Sequence, residues 1–155
     1  MTIPPNLLEE ERILIDAPLT TRSMVLETLA GLLADSEISS EVIEARFVER
    51  EELGSTGIGF GVAIPHARLK QLQSTRAAFI RTRDAVDFIA PDETSVDLIF
   101  ALLVPEGSNE DYLRLLAQLA RFFSDADNRE LLRTAKSADD VISAFGHSEA
   151  RRQSA

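Results

Sequence analysis

The 155-residue chain contains no cysteine. Disulfides, thiolate nucleophiles and the cysteine-ligated zinc sites are therefore excluded. Histidine is scarce, with two in the whole chain, His66 and His147. Positive charge is also in deficit: 16 Lys and Arg stand against 26 Asp and Glu, a net charge of −10. Nucleic acid and anionic membranes need a basic surface, so neither is expected as the main partner, although a basic protein partner is compatible. Long apolar runs are missing. The longest, Leu98 to Val104, is far too short to span a bilayer. The opening "MTIPPNLLEEER" lacks the basic start and long apolar segment of a signal peptide. These features predict a cytoplasmic protein without membrane insertion. Its length fits one domain, large enough to bury a core without disulfides or a structural metal.

What is present reads as alternating strands and helices. "RILID" is a short strand. "LTTRSMVLETLAGLLADS" places Val25, Leu29, Leu32 and Leu33 on one helical stripe, capped by Thr20 or Thr21. "SSEVIEARFVEREEL" is a second helix, opening on Ser39 or Ser40 and ending at Gly54. "TRAAFIRTR" and "VDLIFALLVP" are strands, the second apolar enough to be covered on both faces. "DAVDFIAPDETS" between them reads as a short edge element and a turn. "SNEDYLRLLAQLARFFSD" is the clearest helix, capped by Ser108 or Asn109, with Tyr112, Leu115, Leu116, Leu119, Ala120 and Phe123 on its apolar face. Two further short helices follow, "DNRELLRTA" and "SADDVISAFG". The expected fold class is α/β: a single-domain sandwich with a mixed, mostly buried β-sheet flanked by helices. The domain is expected to span 1–146, with Gly146 ending the last helix and 147–155 forming a disordered tail.

The segment with chemical potential is "GSTGIGFGVAIPHARL", Gly54 to Leu69. It is not a nucleotide motif. A dinucleotide fingerprint begun at Gly57 would need glycine at Val62, and one begun at Gly59 would need it at Ile64. A phosphate loop begun at Gly54 would have Phe60 and Gly61 where Lys and Ser or Thr belong. The glycines still allow positive φ and close approach. Amides of Gly54, Gly57 and Gly59, with hydroxyls of Ser55 and Thr56, could receive an oxyanion. Alone, such a loop is more often an ordinary turn closing a helix. Pro65 brings the chain extended to His66. A neutral imidazole is a good nucleophile near pH 7; Arg68 and Lys70 follow it within a few residues, and Arg50, at the end of the preceding helix, lies just before the loop. Such a setting suits a phosphoryl group better than a metal, which would need more ligands. A serine-hydrolase triad lacks its nucleophile elbow. No metal or cofactor is expected.

"REELGSTGIGFGVAIPHARL" resembles the active-site segment of enzyme IIA domains of the bacterial phosphoenolpyruvate:sugar phosphotransferase system, fructose/mannitol type, and within it the nitrogen-regulatory branch. The resemblance extends through "VDLIFALLVP" and the helix after it, nearly the whole chain. It implies that His66 accepts a phosphoryl group on Nε2 from a histidine-phosphocarrier protein. It implies that Arg50 assists the phosphorylated state, and that the loop from Gly54 to Gly61, Phe60 included, lies beside the histidine. It also implies a phosphotransferase acting mainly as a carrier and regulator.

Two departures from the family pattern stand out. Tyr112 occupies the place where many relatives have a second histidine; read alone, it equally opens the apolar stripe of its helix. Phe60 replaces the asparagine common in Gly-Asn-Gly of the nitrogen-regulatory branch. The leading expectation is a carrier that regulates partner proteins by its phosphorylation state. The alternatives are a sugar-transport component passing phosphate to a separate IIB domain, and a binding module without phosphoryl transfer.

Overall fold

A computed structural model of the chain describes residues 7–154, with side chains through Gly146. The order of elements is β1 (Leu8–Ala17), α1 (Arg22–Leu33), α2 (Ser40–Leu53), β2 (Gly57–Gly59), β3 (Val62–Ala63), β4 (His66–Leu69), β5 (Arg76–Val86), β6 (Val96–Pro105), α3 (Asn109–Ser124), α4 (Ala126–Thr134) and α5 (Ala138–Ser154). The sheet runs β1-β5-β6-β3-β2, with β4 also paired to β6. It is mixed, as expected: β1 is parallel to β5, β5 antiparallel to β6, and β3 and β4 parallel to β6.

Alternation along the central strands divides the core into two layers. Ala78, Ile80, Ile99, Ala101 and Leu103 pack with Val25, Leu29, Ile43 and Phe47 of α1 and α2. Ala77, Phe79, Leu98, Phe100, Leu102 and Val104 pack with Leu115, Leu119, Phe123, Leu132 and Val141 of α3, α4 and α5. Strand β6 is apolar on both faces because each face meets a helical layer. Thr21 caps α1 by accepting from the Met24 amide at 3.1 Å, and Ser39 caps α2 by accepting from Val42 at 3.3 Å. Ser108 opens α3 without a side-chain cap.

Several helix ends are closed by arginines. Arg76 donates to the Leu33 carbonyl at 2.9 Å and Arg12 to Leu32 at 3.2 Å, at the end of α1. Arg129 donates to Phe123 at 2.8 Å. Arg81, 8% exposed, reaches the carbonyls of Leu132, Arg133 and Ala135 at the end of α4. These carbonyls have no intrahelical donor, and a guanidinium supplies several N–H groups at once.

Four expectations need correction. The segment 84–95 forms no separate edge element: it supplies the end of β5 and then a turn, where Ile89 and Glu93 at positive φ and Pro91 interrupt any strand. Ala120 is exposed, and Phe122 takes its place on the buried stripe of α3. Helix α5 continues through Gly146 to Ser154. Glycine stops a helix by entering the left-handed region, and Gly146 does not do so. The backbone of 147–154 is accordingly helical where a tail was expected, and Ala155 lies outside the described residues. Finally, the glycine segment is not an open loop. It is a β2–β3 hairpin whose two turn residues, Phe60 and Gly61, have φ of 62° and 77°, the pattern of a type I′ turn.

Candidate functional site

Strands β3 and β4 behave as one interrupted strand beside β6. Val62 pairs with Leu98 and His66 with Leu102, and the Leu102 amide donates to the Pro65 carbonyl at 2.9 Å across the gap. Proline has no N–H and fixes its own φ, so the chain is extended here but leaves the ladder briefly. Beyond β4, among the described residues, no further strand pairs. His66 is thus the first residue of a strand at an open edge, half-buried.

The ring's tautomer follows from its partners. Nδ1 lies 2.7 Å from the Ile64 carbonyl, which only accepts, so Nδ1 carries the proton. Nε2 receives the Arg50 Nε–H at 3.2 Å, so it presents its lone pair. Burial holds the His66 pKa below its ordinary value. The charges of Arg50 and Arg68 lower it further, and the Ile64 hydrogen bond opposes them. The result is a neutral imidazole near pH 7 with Nε2 available.

Arg50 stands in the last turn of α2, where a cation is favoured by the helix dipole. Its Nη1 donates to the Gly54 carbonyl at 2.8 Å, which orients the guanidinium toward the imidazole. Gly54 leaves the helix at φ 151°, ψ 148°, a region essentially restricted to glycine. Alternation along β4 puts His66 and Arg68 on one face. Tyr112, from the first turns of α3, packs there: its ring centroid is 5.7 Å from that of His66, and the Arg68 guanidinium lies 5.3 Å from the Tyr112 ring. Asn109 accepts from Arg68 and holds it over the ring. Burial raises the Tyr112 pKa against the opposing charges of Arg68 and Arg50, so the phenol keeps its proton at neutral pH. Tyr112 therefore reaches His66.

The rest of the predicted site behaves differently. The Ser55 hydroxyl donates to the Phe88 carbonyl at 2.6 Å and accepts from the Gly57 amide at 3.0 Å. Thr56 is buried, and both its amide and its hydroxyl donate to the carboxylate of Glu51. These donors are engaged inside the fold rather than held open for an anion. A Cβ at Gly57 would come 2.7 Å from Ala90, and one at Gly59 3.3 Å from Asp92, so these glycines permit close packing against the 88–92 segment. Phe60 is not beside His66. Its turn meets β6 at Asp97, whereas His66 meets Leu102; at the strand rise the two points are roughly 16 Å apart. The Phe60 ring lies 4.3 Å from the Arg129 guanidinium, and its carbonyl accepts from Arg133 at 2.7 Å.

Among the described residues, no group of three or more His, Asp or Glu gathers as metal ligands, and the His147 side chain lies outside them. No helix described is long and apolar enough to cross a membrane. Sequence reasoning missed Glu51, although its signal was present: an acid beside Arg50 in the last helical turn, a position the helix dipole disfavours.

Fold and site together define a class, a small α/β protein with helices on both faces of one sheet, presenting a neutral histidine between two arginines at a strand edge. The model of the phosphoenolpyruvate-dependent sugar phosphotransferase system family, EIIA 2, matches residues 6–148, and the chain belongs to that family. It is 43% identical over 136 residues to a nitrogen regulatory protein of Pseudomonas aeruginosa, covering 86% of this chain and 88% of the relative. It is 34% identical over 134 residues to a fructose-specific EIIA component of Haloferax volcanii, covering 84% and 86% respectively. Among solved structures, nitrogen regulatory protein IIA-Ntr of Neisseria meningitidis superposes with a TM-score of 0.88 at 39% identity, covering 91% of this chain and 97% of that one.

Proposed function

We propose that this chain is a phosphoryl carrier that accepts phosphate on Nε2 of His66 from a histidine-phosphocarrier protein and regulates partner proteins through its phosphorylation state. The observation that carries the reading is the double constraint on the imidazole: Nδ1–H donates to Ile64 while Nε2 faces Arg50. In the transfer, the Nε2 lone pair attacks the phosphorus of a donor phosphohistidine whose second ring nitrogen is protonated. The P–Nε2 bond forms as the donor P–N bond breaks, and the donor leaves as neutral imidazole. His66 then carries the phosphoryl group on Nε2 and its original proton on Nδ1, and the positive ring charge rests on the Ile64 carbonyl. Bond types on the two sides match, so the step is nearly balanced and positioning dominates. Arg50 shifts from the lone pair to the phosphoryl oxygens, and Arg68, on the same face of β4 as His66, adds a second cation.

The test is incubation with phosphoenolpyruvate, enzyme I and the histidine-phosphocarrier, followed by intact-mass measurement. An acid-labile phosphate adduct is expected in the wild type and absent from His66→Ala. No adduct in the wild type, or an undiminished one in the variant, overturns the proposal. The resemblance to a fructose-specific component supports a second reading, transfer onward to a separate IIB domain. Rapid loss of label to an added IIB domain would favour it. An intact His66 with no labelling at all would leave the binding-module reading.

A further inference from the structure

We infer that Glu51 is a positioning residue for His66, its carboxylate setting the shape of the 54–56 loop and thereby both hydrogen bonds of the imidazole. Glu51 is 5% exposed. Its Oε2 accepts from the Thr56 amide at 3.2 Å, its Oε1 accepts from the Thr56 hydroxyl, and Arg22 of α1 approaches Oε2 at 3.6 Å. Burying a carboxylate is costly even when it is paired, and a negative charge in the last turn of a helix is opposed by the dipole. Stability alone does not account for an acid at this position; the loop geometry it enforces does.

Two paths lead from that loop to the ring. Thr56, held by Glu51, accepts the Ile64 amide on its carbonyl at 3.0 Å, and the Ile64 carbonyl accepts Nδ1–H of His66 at 2.7 Å. Gly54, at the start of the same loop, accepts Arg50 Nη1 at 2.8 Å, and Arg50 Nε meets Nε2 at 3.2 Å. Both ring nitrogens thus depend on residues within the span that Glu51 clamps. If either end of the clamp is altered, a buried polar group of Glu51 or Thr56 is left without its partner, and the loop must rearrange to satisfy it. The Ile64 carbonyl then loses its fixed aim, and the tautomer with the proton on Nε2, which cannot attack from that nitrogen, becomes populated.

The inference rests on the carrier reading only for its kinetic consequence; the tautomer is measurable without any phosphorylation. The experiment uses the full chain with Glu51→Gln, Thr56→Val and, as the conservative control, Thr56→Ser. Ring 15N shifts of unphosphorylated His66 are recorded near pH 8, and phosphorylation rates from the histidine-phosphocarrier are measured in parallel. The wild type and Thr56→Ser are expected to show one tautomer, protonated on Nδ1. Glu51→Gln and Thr56→Val are expected to show a mixture, with labelling slowed about tenfold by misplacement of the reacting nitrogen. A wild-type tautomer in both Glu51→Gln and Thr56→Val overturns the inference, whatever happens to thermal stability. So does a mixed tautomer in the wild type itself. If Glu51→Gln does not fold, Thr56→Val decides the matter alone. If the wild type takes no label, the carrier reading fails and the shifts still decide the role of Glu51.

Discussion

Replacing Phe60 by asparagine tests whether the β2–β3 turn is strained. Phe60 sits at φ 62° and is 53% exposed, so it accepts a left-handed conformation without the compensation of full burial. That conformation costs an ordinary L-residue about 1–2 kcal/mol, and asparagine tolerates it better through its short polar side chain. Asparagine followed by Gly61 is also the preferred pair for a type I′ turn. Against this gain stands the Arg129 guanidinium 4.3 Å from the ring, a contact worth about 0.5–1 kcal/mol at an exposed site. The Arg133 bond to the Phe60 carbonyl is indifferent to the side chain. Phe60→Asn should therefore stabilise the protein by about 0.5 kcal/mol, and by about 1 kcal/mol in an Arg129→Ala background where the cation–π contact is already gone. At this chain length, each kcal/mol moves Tm by about 2–4 °C, so scanning calorimetry of the four-member cycle resolves the difference. Destabilisation by Phe60→Asn in both backgrounds would refute the strain argument. A zero coupling between the two positions would refute the cation–π assignment.

The other outcomes follow from single contacts. Arg50→Ala removes a charged hydrogen bond worth about 1.5–3 kcal/mol to an ionised group, so labelling of His66 should slow, or the phosphohistidine decay faster, by roughly 10- to 100-fold; equal rates and lifetimes would return Arg50 to a solvated helix-end cation. Because the His66 pKa is lowered, the nucleophile stays neutral below pH 6.5, and the labelling rate should hold level through pH 6.5 before falling. The same shift means the unfolded chain binds more protons than the folded one just below pH 6.5. Wild-type stability should thus fall relative to His66→Ala as pH drops from there, measured by denaturant titration; a rise would reverse the assigned sign. Arg81→Ala leaves three carbonyls at the end of α4 without their donor and should cost about 3 kcal/mol in chemical denaturation, whereas a loss under 1 kcal/mol would mean water replaces the guanidinium without penalty.

Much of this architecture was legible in the sequence because its signals are local. The double-faced apolar run of β6, the Ser39 and Thr21 caps and the Pro65-His66 approach each act within a few residues. The Gly54 stop of α2 could also be read directly. The partners of Arg81 and the packing of Phe60 on Arg129 could not be read, since they join residues far apart in the chain. The hairpin was obscured by its own turn: phenylalanine at a left-handed position carries none of the composition signal that asparagine would. Gly146 misled for the opposite reason. It has the composition of a helix stop, but its own backbone does not enter the left-handed region that a stop requires.

The site's charge pattern separates this chain from a two-histidine arrangement. An imidazole at the position of Tyr112 would change charge between pH 5 and 8. Tyr112 does not, because its phenol titrates above its ordinary value. The cations around His66 are Arg50 and Arg68, and arginine keeps its charge at every physiological pH. Arg68 is moreover held in place twice, by Asn109 and by the Tyr112 ring beneath it. The positive field at Nε2 therefore does not depend on the titration of a second imidazole. With its own pKa lowered by burial and by those same two cations, the His66 imidazole is neutral near pH 7. A tyrosine here thus adds no group that changes charge near neutral pH, and the permanent charges are those of the arginines. It leaves the electrostatics of the site dependent on geometry alone, and so on the loop that Glu51 and Gly54 hold.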